Sequence, residues 1–307
     1  MSALITGILP VFMMIALGYG LRKSGFLPDE AWRPIERLSI NIFYPGFLIP
    51  AIWNADISGG GAGAAGAGVV SVVLIVATVA LLAKPLMTLD GPAFTSVFQG
   101  VIRWNGFVFL PVIQSVYGAD GLALAAVVLA AMIPVTNLMS VVVMMRWGGD
   151  QSRMSVRTLI EANLANPILV ACLIGLGLNF ANVPRLTGLS DALALLGGAA
   201  LPLGLIVAGA GLSFAEVARR RVTIGAVSFV KLIITPFAMW GLCRLYGGDE
   251  MAQGVALLCG AAPGAAASYI LARQMGGDAP LMAGIVAMTT VGSAVVIPVL
   301  LALFHLT

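Results

Sequence analysis

The sequence predicts an all-α polytopic membrane protein: ten transmembrane helices in two inverted five-helix repeats, with helices four and nine broken and crossing. Three observations predict it. First, 60% of the 307 residues are hydrophobic and only 9% are charged, where a soluble domain carries about 25% charged residues. Second, residues 62–83 and 121–145 contain no charged side chain, and about 20 apolar residues are enough to cross the hydrocarbon core. Third, the chain repeats its own punctuation. Moved by 157 residues, Pro10 and Gly18-Tyr19-Gly20-Leu21 fall on Pro167 and Gly175-Leu176-Gly177-Leu178, and Pro45 and Leu48 fall on Pro202 and Leu205. One residue later in register, Gly118 and Asp120 fall on Gly276 and Asp278, and Ala125 and Val128 on Ala283 and Val286. A unit with an odd number of spans returns the chain on the opposite side, so its second copy is inverted. Many secondary transporters are built on this plan.

Apolar runs between charged or Gly/Pro/Asp breaks place the helices at 3–21, 33–53, 62–83, 94–117, 121–145, 158–180, 189–212, 222–244, 251–273 and 280–304. The first ends at Arg22-Lys23 and reads as a retained span, since no small-residue cleavage site precedes a further domain. The second carries Arg33, Glu36 and Arg37 in its first turns and is interrupted by Pro45 and Pro50. The third opens on Gly and Ala before a Val/Leu run, and the fourth and fifth are divided at Gly118 and Asp120. The sixth follows Arg153 and Arg157. The seventh ends in Gly209-Ala210-Gly211-Leu212, and the eighth, between Arg221 and Arg244, is kinked at Pro236. The ninth is interrupted by Pro263-Gly264, and the tenth opens on Pro280 after Asp278. The units are therefore a first repeat at 1–147, a cytoplasmic connecting loop at 148–157 and a second, inverted repeat at 158–307. The 37 glycines fit helices that approach closely through small residues.

Basic residues set the expected orientation. With both termini facing away from the cytoplasm, twelve of the sixteen Lys and Arg lie on the cytoplasmic side, Arg185 and Arg244 lie outside, and Arg103 and Lys231 fall within spans. The expected location is the cytoplasmic (inner) membrane, crossed many times. Cys172, Cys243 and Cys259 lie in apolar segments without paired spacing and read as small core residues. His305 is the single histidine, which excludes a histidine-based catalytic or metal cluster. No G-x-x-x-x-G-K phosphate loop is present, which excludes ATP-driven pumping by this chain. No catalytic residue, metal or cofactor is expected, nor is a nucleic-acid partner.

The chemistry is expected at the breaks. In span four, Gly106 and Pro111 predict that the helix opens between them. In span nine, Gly260-Ala261-Ala262-Pro263-Gly264 predicts a second opening at the matching place. Freed backbone groups cannot face lipid, so both breaks should line protein or a hydrated cavity. Half-helix N-termini meeting there would favour an anion. Arg103 and Lys231 are charges within the hydrocarbon zone, each a candidate site by default. Asn41, Gln99, Asn105, Gln114, Asn137, Asn163, Asn166 and Gln253 form the neutral polar set, of which Asn105 stands beside the break. Glu161 and Asp191 fall near span starts, so no carboxylate proton relay is expected.

The chain also resembles the auxin efflux carrier (PIN-like) family, which includes bacterial malonate and other organic-acid permeases. The matching pieces are Ile8-Leu9-Pro10-Val11-Phe12 with Gly18-Tyr19-Gly20-Leu21-Arg22, then Arg103-Trp104-Asn105-Gly106 running to Pro111 and Tyr117-Gly118. They continue with Asn166-Pro167-Ile168-Leu169, Ala200-Leu201-Pro202-Leu203-Gly204-Leu205, Ala262-Pro263 and Tyr269-Ile270-Leu271-Ala272. The resemblance implies ten spans in inverted halves, spans four and nine crossing at their prolines, a substrate beside the crossing, and alternating access. It matches Asn105 and Pro263 to family positions. Where many relatives have an asparagine after the span-nine proline, this chain has Ala265-Ala266-Ala267 and then Ser268.

The expected function is secondary transport of a small organic anion, a carboxylate. Arg103, Asn105, Gly106, Pro111, Pro263, Gly264, Ser268 and Tyr269 are the candidate substrate contacts. Lys231, Asn137 and Gln253 are candidates for charge balance or coupling, with proton and sodium both open as coupling ion. The alternatives are a sodium-coupled symporter of the bile-acid-transporter type and, in a different class, a non-transporting membrane sensor or scaffold. The expected partners are the substrate anion, the lipid bilayer and a second copy in a homodimer.

Overall fold

A computed structural model describes residues 2–53, 61–149, 166–184 and 186–305. Helix occupies most of the described part of every predicted segment, and no strand occurs among the described residues. Helix α1 is Ser2–Lys23; α2 (Asp29–Leu38) runs through a π turn at Ser39–Phe43 into α3 (Tyr44–Trp53). Helix α4 is Gly61–Ala83, α5 is Gly91–Ile102, and α6 is Gly106–Trp147, turned sharply at Gly118. Helix α7 is Pro167–Phe180, α8 is Thr187–Gly198 and α9 is Ala200–Ala210. Helix α10 (Arg221–Phe229) passes through a π turn at Val230–Ile234 into α11 (Thr235–Leu245). Helices α12 (Glu250–Ala261), α13 (Ala267–Gln274) and α14 (Ala279–Leu303) follow. The connecting-loop residues Arg153 and Arg157, with Glu161, Asn163 and Arg185, lie outside the described residues.

Five helical stretches among the described residues are long and apolar enough to cross a membrane by length and composition: Gly61–Leu86, Gly91–Trp147, Thr187–Ala210, Arg221–Leu245 and Ala279–Leu303. Their outer faces carry large apolar side chains at helical spacing. Ile75, Val79 and Leu82 form one such stripe on α4, and Val291, Val295, Val299 and Leu303 form another on α14. Exposed rows of this kind suit hydrocarbon rather than water.

Two prolines that threatened helices are absorbed by π turns. Each turn ends two residues before a proline, at Pro45 and at Pro236. A proline lacks the donor for the preceding turn, and the extra residue of a π turn takes up the missing register. Carbonyls in these stretches are met by side chains: Ser39 donates to Ile35 O (2.9 Å), and Thr235 to Val230 O (2.9 Å).

The break in span four differs from the expectation. Residues 103–105 are extended, whereas Gly106 to Pro111 is helical. Pro111, the sixth residue of its helix, removes one backbone bond and leaves the helix intact. Asn105 ends the extended stretch because its side chain caps the new helix.

The helices pack in two groups. One joins α1 to α9 and α3 to α7 and α8; the other joins α4, α5, α6 and α10 to α14. Within the first group, glycines allow backbone contact. A Cβ on Gly18 would collide with the Ile206 carbonyl, and one on Gly209 with the Ile15 carbonyl. On the companion pair, a Cβ on Gly175 would stand 2.8 Å from Ile52 Cβ. Hydrogen bonds tie the same pairs at their ends: Arg22 Nη1 to Ala210 O (2.7 Å), and Asn179 Nδ2 to Trp53 O (3.1 Å). Gly209→Ala is expected to destabilise the protein by about 1–3 kcal/mol through overpacking, read as a lower melting temperature in detergent. Gly20→Ala, where a Cβ meets nothing within 4 Å, should cause no loss.

Candidate functional site

Helix α5 starts on the Asp90 cap, whose carboxylate accepts from Ala93 N at 2.8 Å, and ends at Ile102. The chain then extends through Arg103 (φ −99°, ψ 153°). Helix α12 starts on a matching cap, Asp249 accepting from Ala252 N at 2.8 Å, and ends at Ala261 before extended Ala262 (φ −64°, ψ 141°). The two openings touch: Asn105 N donates to Pro263 O at 2.8 Å. Gly264 N donates to Thr289 Oγ1 at 3.0 Å, and that hydroxyl donates onward to Ile285 O at 2.7 Å. Each broken strand thus satisfies backbone groups that lipid could not.

Three helix N-termini surround a cavity of about 170 Å³ beside this crossing. Helix α6 starts at Gly106, with Asn105 Oδ1 accepting from Phe107 N at 2.9 Å. Helix α7 starts at Pro167, with Asn166 Oδ1 accepting from Ile168 N and Leu169 N, both at 3.1 Å. Helix α13 starts at Ala267, and Ala265, Ala266 and Ala267 form that wall of the cavity. An asparagine cap with proline at the first helical position is a strong start signal. Each helix start carries roughly half a positive charge.

Arg103 adds a full charge. Its Nη2 donates to Asn137 Oδ1 at 3.0 Å and its Nη1 to Gln99 Oε1 at 3.4 Å, both neutral acceptors. Among the described residues it forms no ion pair. Trp104 lines the same cavity, while its Nε1 is buried and has no hydrogen-bond partner among the described residues. Asn105 spends its oxygen on the cap, while its Nδ2 has no partner among the described residues.

Sequence reasoning missed Glu36, the one carboxylate among the described residues lining this cavity. It also lines a second cavity of about 390 Å³, together with Arg22, Asp29, Arg33, Tyr269 and Arg273. The sequence reading weighed only Glu161 and Asp191 as carboxylates and so left Glu36 out. The signal was present in the spacing: Asp29, Trp32, Arg33, Glu36 and Ile40 follow one face of a helix. Thr136 and Asn166 are further lining residues not anticipated as contacts.

Arg103, Asn105, Gly106 and Asn137 are brought together at the cavity. Pro263 and Gly264 sit at the crossing, with backbone groups already engaged. Ser268 is buried outside both cavity linings, its hydroxyl without a partner among the described residues, and Tyr269 lines the second cavity. Three more candidates lie away from both the crossing and the cavity linings. Pro111 is packed inside α6, outside the lining, because the break falls upstream of it. Gln253 donates to Gly248 O at 2.7 Å at the start of α12. Lys231 is fully buried in the π turn outside both cavity linings, its Nζ without a hydrogen-bond partner among the described residues.

Comparisons with known proteins identify the family. The family described as membrane transport protein matches residues 3–301. A protein of Methanothermobacter thermautotrophicus described as an uncharacterized transporter is 26% identical over 294 residues, covering 95% of each chain.

Asn105→Ala should lower stability by about 1 kcal/mol through loss of the cap, whereas Asn105→Asp keeps the acceptor and should not. Thermal unfolding of both purified variants in detergent checks this.

Proposed function

Because the chain belongs to the membrane transport protein family, the auxin-efflux-carrier group, we propose that it is a secondary transporter moving a small carboxylate across the cytoplasmic membrane by alternating access. Membership itself makes the protein a multi-pass membrane transporter rather than an enzyme.

The observation that carries the anion reading is the cavity at the crossing. Three helix starts and an arginine whose partners among the described residues are neutral surround one small space. Fixed donors in a low-dielectric site attract a carboxylate strongly. A volume of about 170 Å³ suits a small acid. Both cavities lie between the two helix groups, so rocking one group against the other would expose the site alternately to each side. The groups draw on both halves of the chain, which supports two inverted units, at 1–147 and 158–307, and ten spans in all. A paired contact supports the same reading. Arg22 reaches Ala210 O and Asn179 reaches Trp53 O, and adding 157 to Arg22 and to Trp53 gives Asn179 and Ala210. The second cavity carries Arg22, Arg33 and Arg273, residues that the charge bias assigns to the cytoplasmic side, with both termini on the other.

Thermal stabilisation of the purified protein across a panel of mono- and dicarboxylates, their amides and organic cations tests the substrate class. Carboxylates should stabilise; a preference for cations would defeat the reading. Arg103→Gln should weaken carboxylate binding by roughly ten- to hundredfold, for the loss of about 1.5–3 kcal/mol of charge-assisted hydrogen bonding. It should affect the matching amide less, and equal losses would make Arg103 a structural tie between helices.

Orientation has its own test. In a background lacking Cys172, Cys243 and Cys259, a cysteine at Gln151 should resist an impermeant reagent applied outside spheroplasts. Labelling there from outside would reverse the topology.

A further inference from the structure

We propose that Glu36 is where a proton joins the transport cycle. Its carboxylate is ionised in the empty carrier and takes up one proton, through the larger cavity, when a carboxylate occupies the cavity at the crossing. The inference rests on the anion reading of that cavity.

Position carries the argument. Glu36 and Ala266 line both cavities, so these residues of α2 and of the start of α13 stand between the two spaces. The larger space gives protons a route to Glu36 that does not pass through the crossing. Among the described residues the Glu36 side chain has no hydrogen bond or ion pair holding it ionised in one geometry. The charged and titratable groups around it are Arg103 from the break, Arg33 on its own helix, Arg22 from α1, Asp29, and Tyr269 and Arg273 from α13. Arg22 is already engaged by Asp29 at 3.0 Å and by Ala210 O at 2.7 Å.

Electrostatics supplies the coupling. A carboxylate entering the crossing cavity is drawn by Arg103 and the helix starts but meets the charge of Glu36. Two carboxylates sharing one site do not both stay ionised cheaply. Proton uptake by Glu36 removes the repulsion and keeps the attraction. The balance is one proton gained per anion bound, both released when the cavity opens to the other side. For a monocarboxylate the loaded step then moves no net charge.

Calorimetric titration of the purified protein with malonate and with succinate, in phosphate and in Tris, reads the protons taken up. The wild type should take up about one proton per anion, with affinity falling about tenfold per pH unit on the alkaline side. Glu36→Gln should bind with no proton uptake, a flat pH profile and higher affinity at alkaline pH. Glu36→Asp should restore the proton and the slope, which a purely structural role would not do. Binding by the wild type without proton uptake, or an unchanged proton count in Glu36→Gln, overturns the inference. If neither acid binds the wild type or the variants, the anion reading of the cavity fails and this inference falls with it.

Discussion

Everything at the centre of this protein depends on one backbone hydrogen bond, from Asn105 N to Pro263 O. A helix opened within hydrocarbon leaves amides and carbonyls that cost several kcal/mol each when unmet. Here the two openings answer each other. The bond fixes where α5–α6 and α12–α13 cross, and thereby where the helix starts at Gly106 and Ala267 stand. Those starts, with Asn166-Pro167 from the other helix group, turn a structural problem into a positively polarised cavity.

Glycine contacts and end-to-end hydrogen bonds make α1, α9, α3 and α7 a tightly tied unit. The interface between that unit and the crossing is different in kind. It holds both cavities, and among the described residues Arg103 there meets only neutral acceptors. Relative movement is accommodated most cheaply where packing is already interrupted.

Much of this was legible in the sequence. Charge-free runs located helices because lipid tolerates little else. Pro263-Gly264 located one break, and Arg103, Asn105, Gly106 and Asn137 meet where a site was expected. The break in span four was misplaced by several residues because proline was weighed above the asparagine cap, although Pro111 sits inside the helix that the Asn105 cap starts. Glu36 was overlooked because charges at the head of 33–53 read as a helix end, whereas their spacing places them on a face turned toward another helix group. Lys231 and Gln253 could not be sorted from sequence: depth along a helix is readable there, but the direction of a side chain toward a cavity depends on packing between distant segments.

The arms that carry the crossing have equal lengths. Gly91–Ile102 and Glu250–Ala261 each contain 12 residues between an aspartate cap and the break, or about 18 Å of helix each. In the proposed inverted arrangement they would enter from opposite faces and meet near the middle of a hydrocarbon core about 30 Å thick. A bound ion there would sit halfway through the electric field of an energised membrane. Full passage of one charge is worth about 2.3 kcal/mol per 100 mV, so an unaccompanied anion reaching the crossing would feel roughly half of that. Membrane voltage would therefore tilt occupancy of the site, and a carrier that neutralises its cargo at the crossing would be shielded from that tilt.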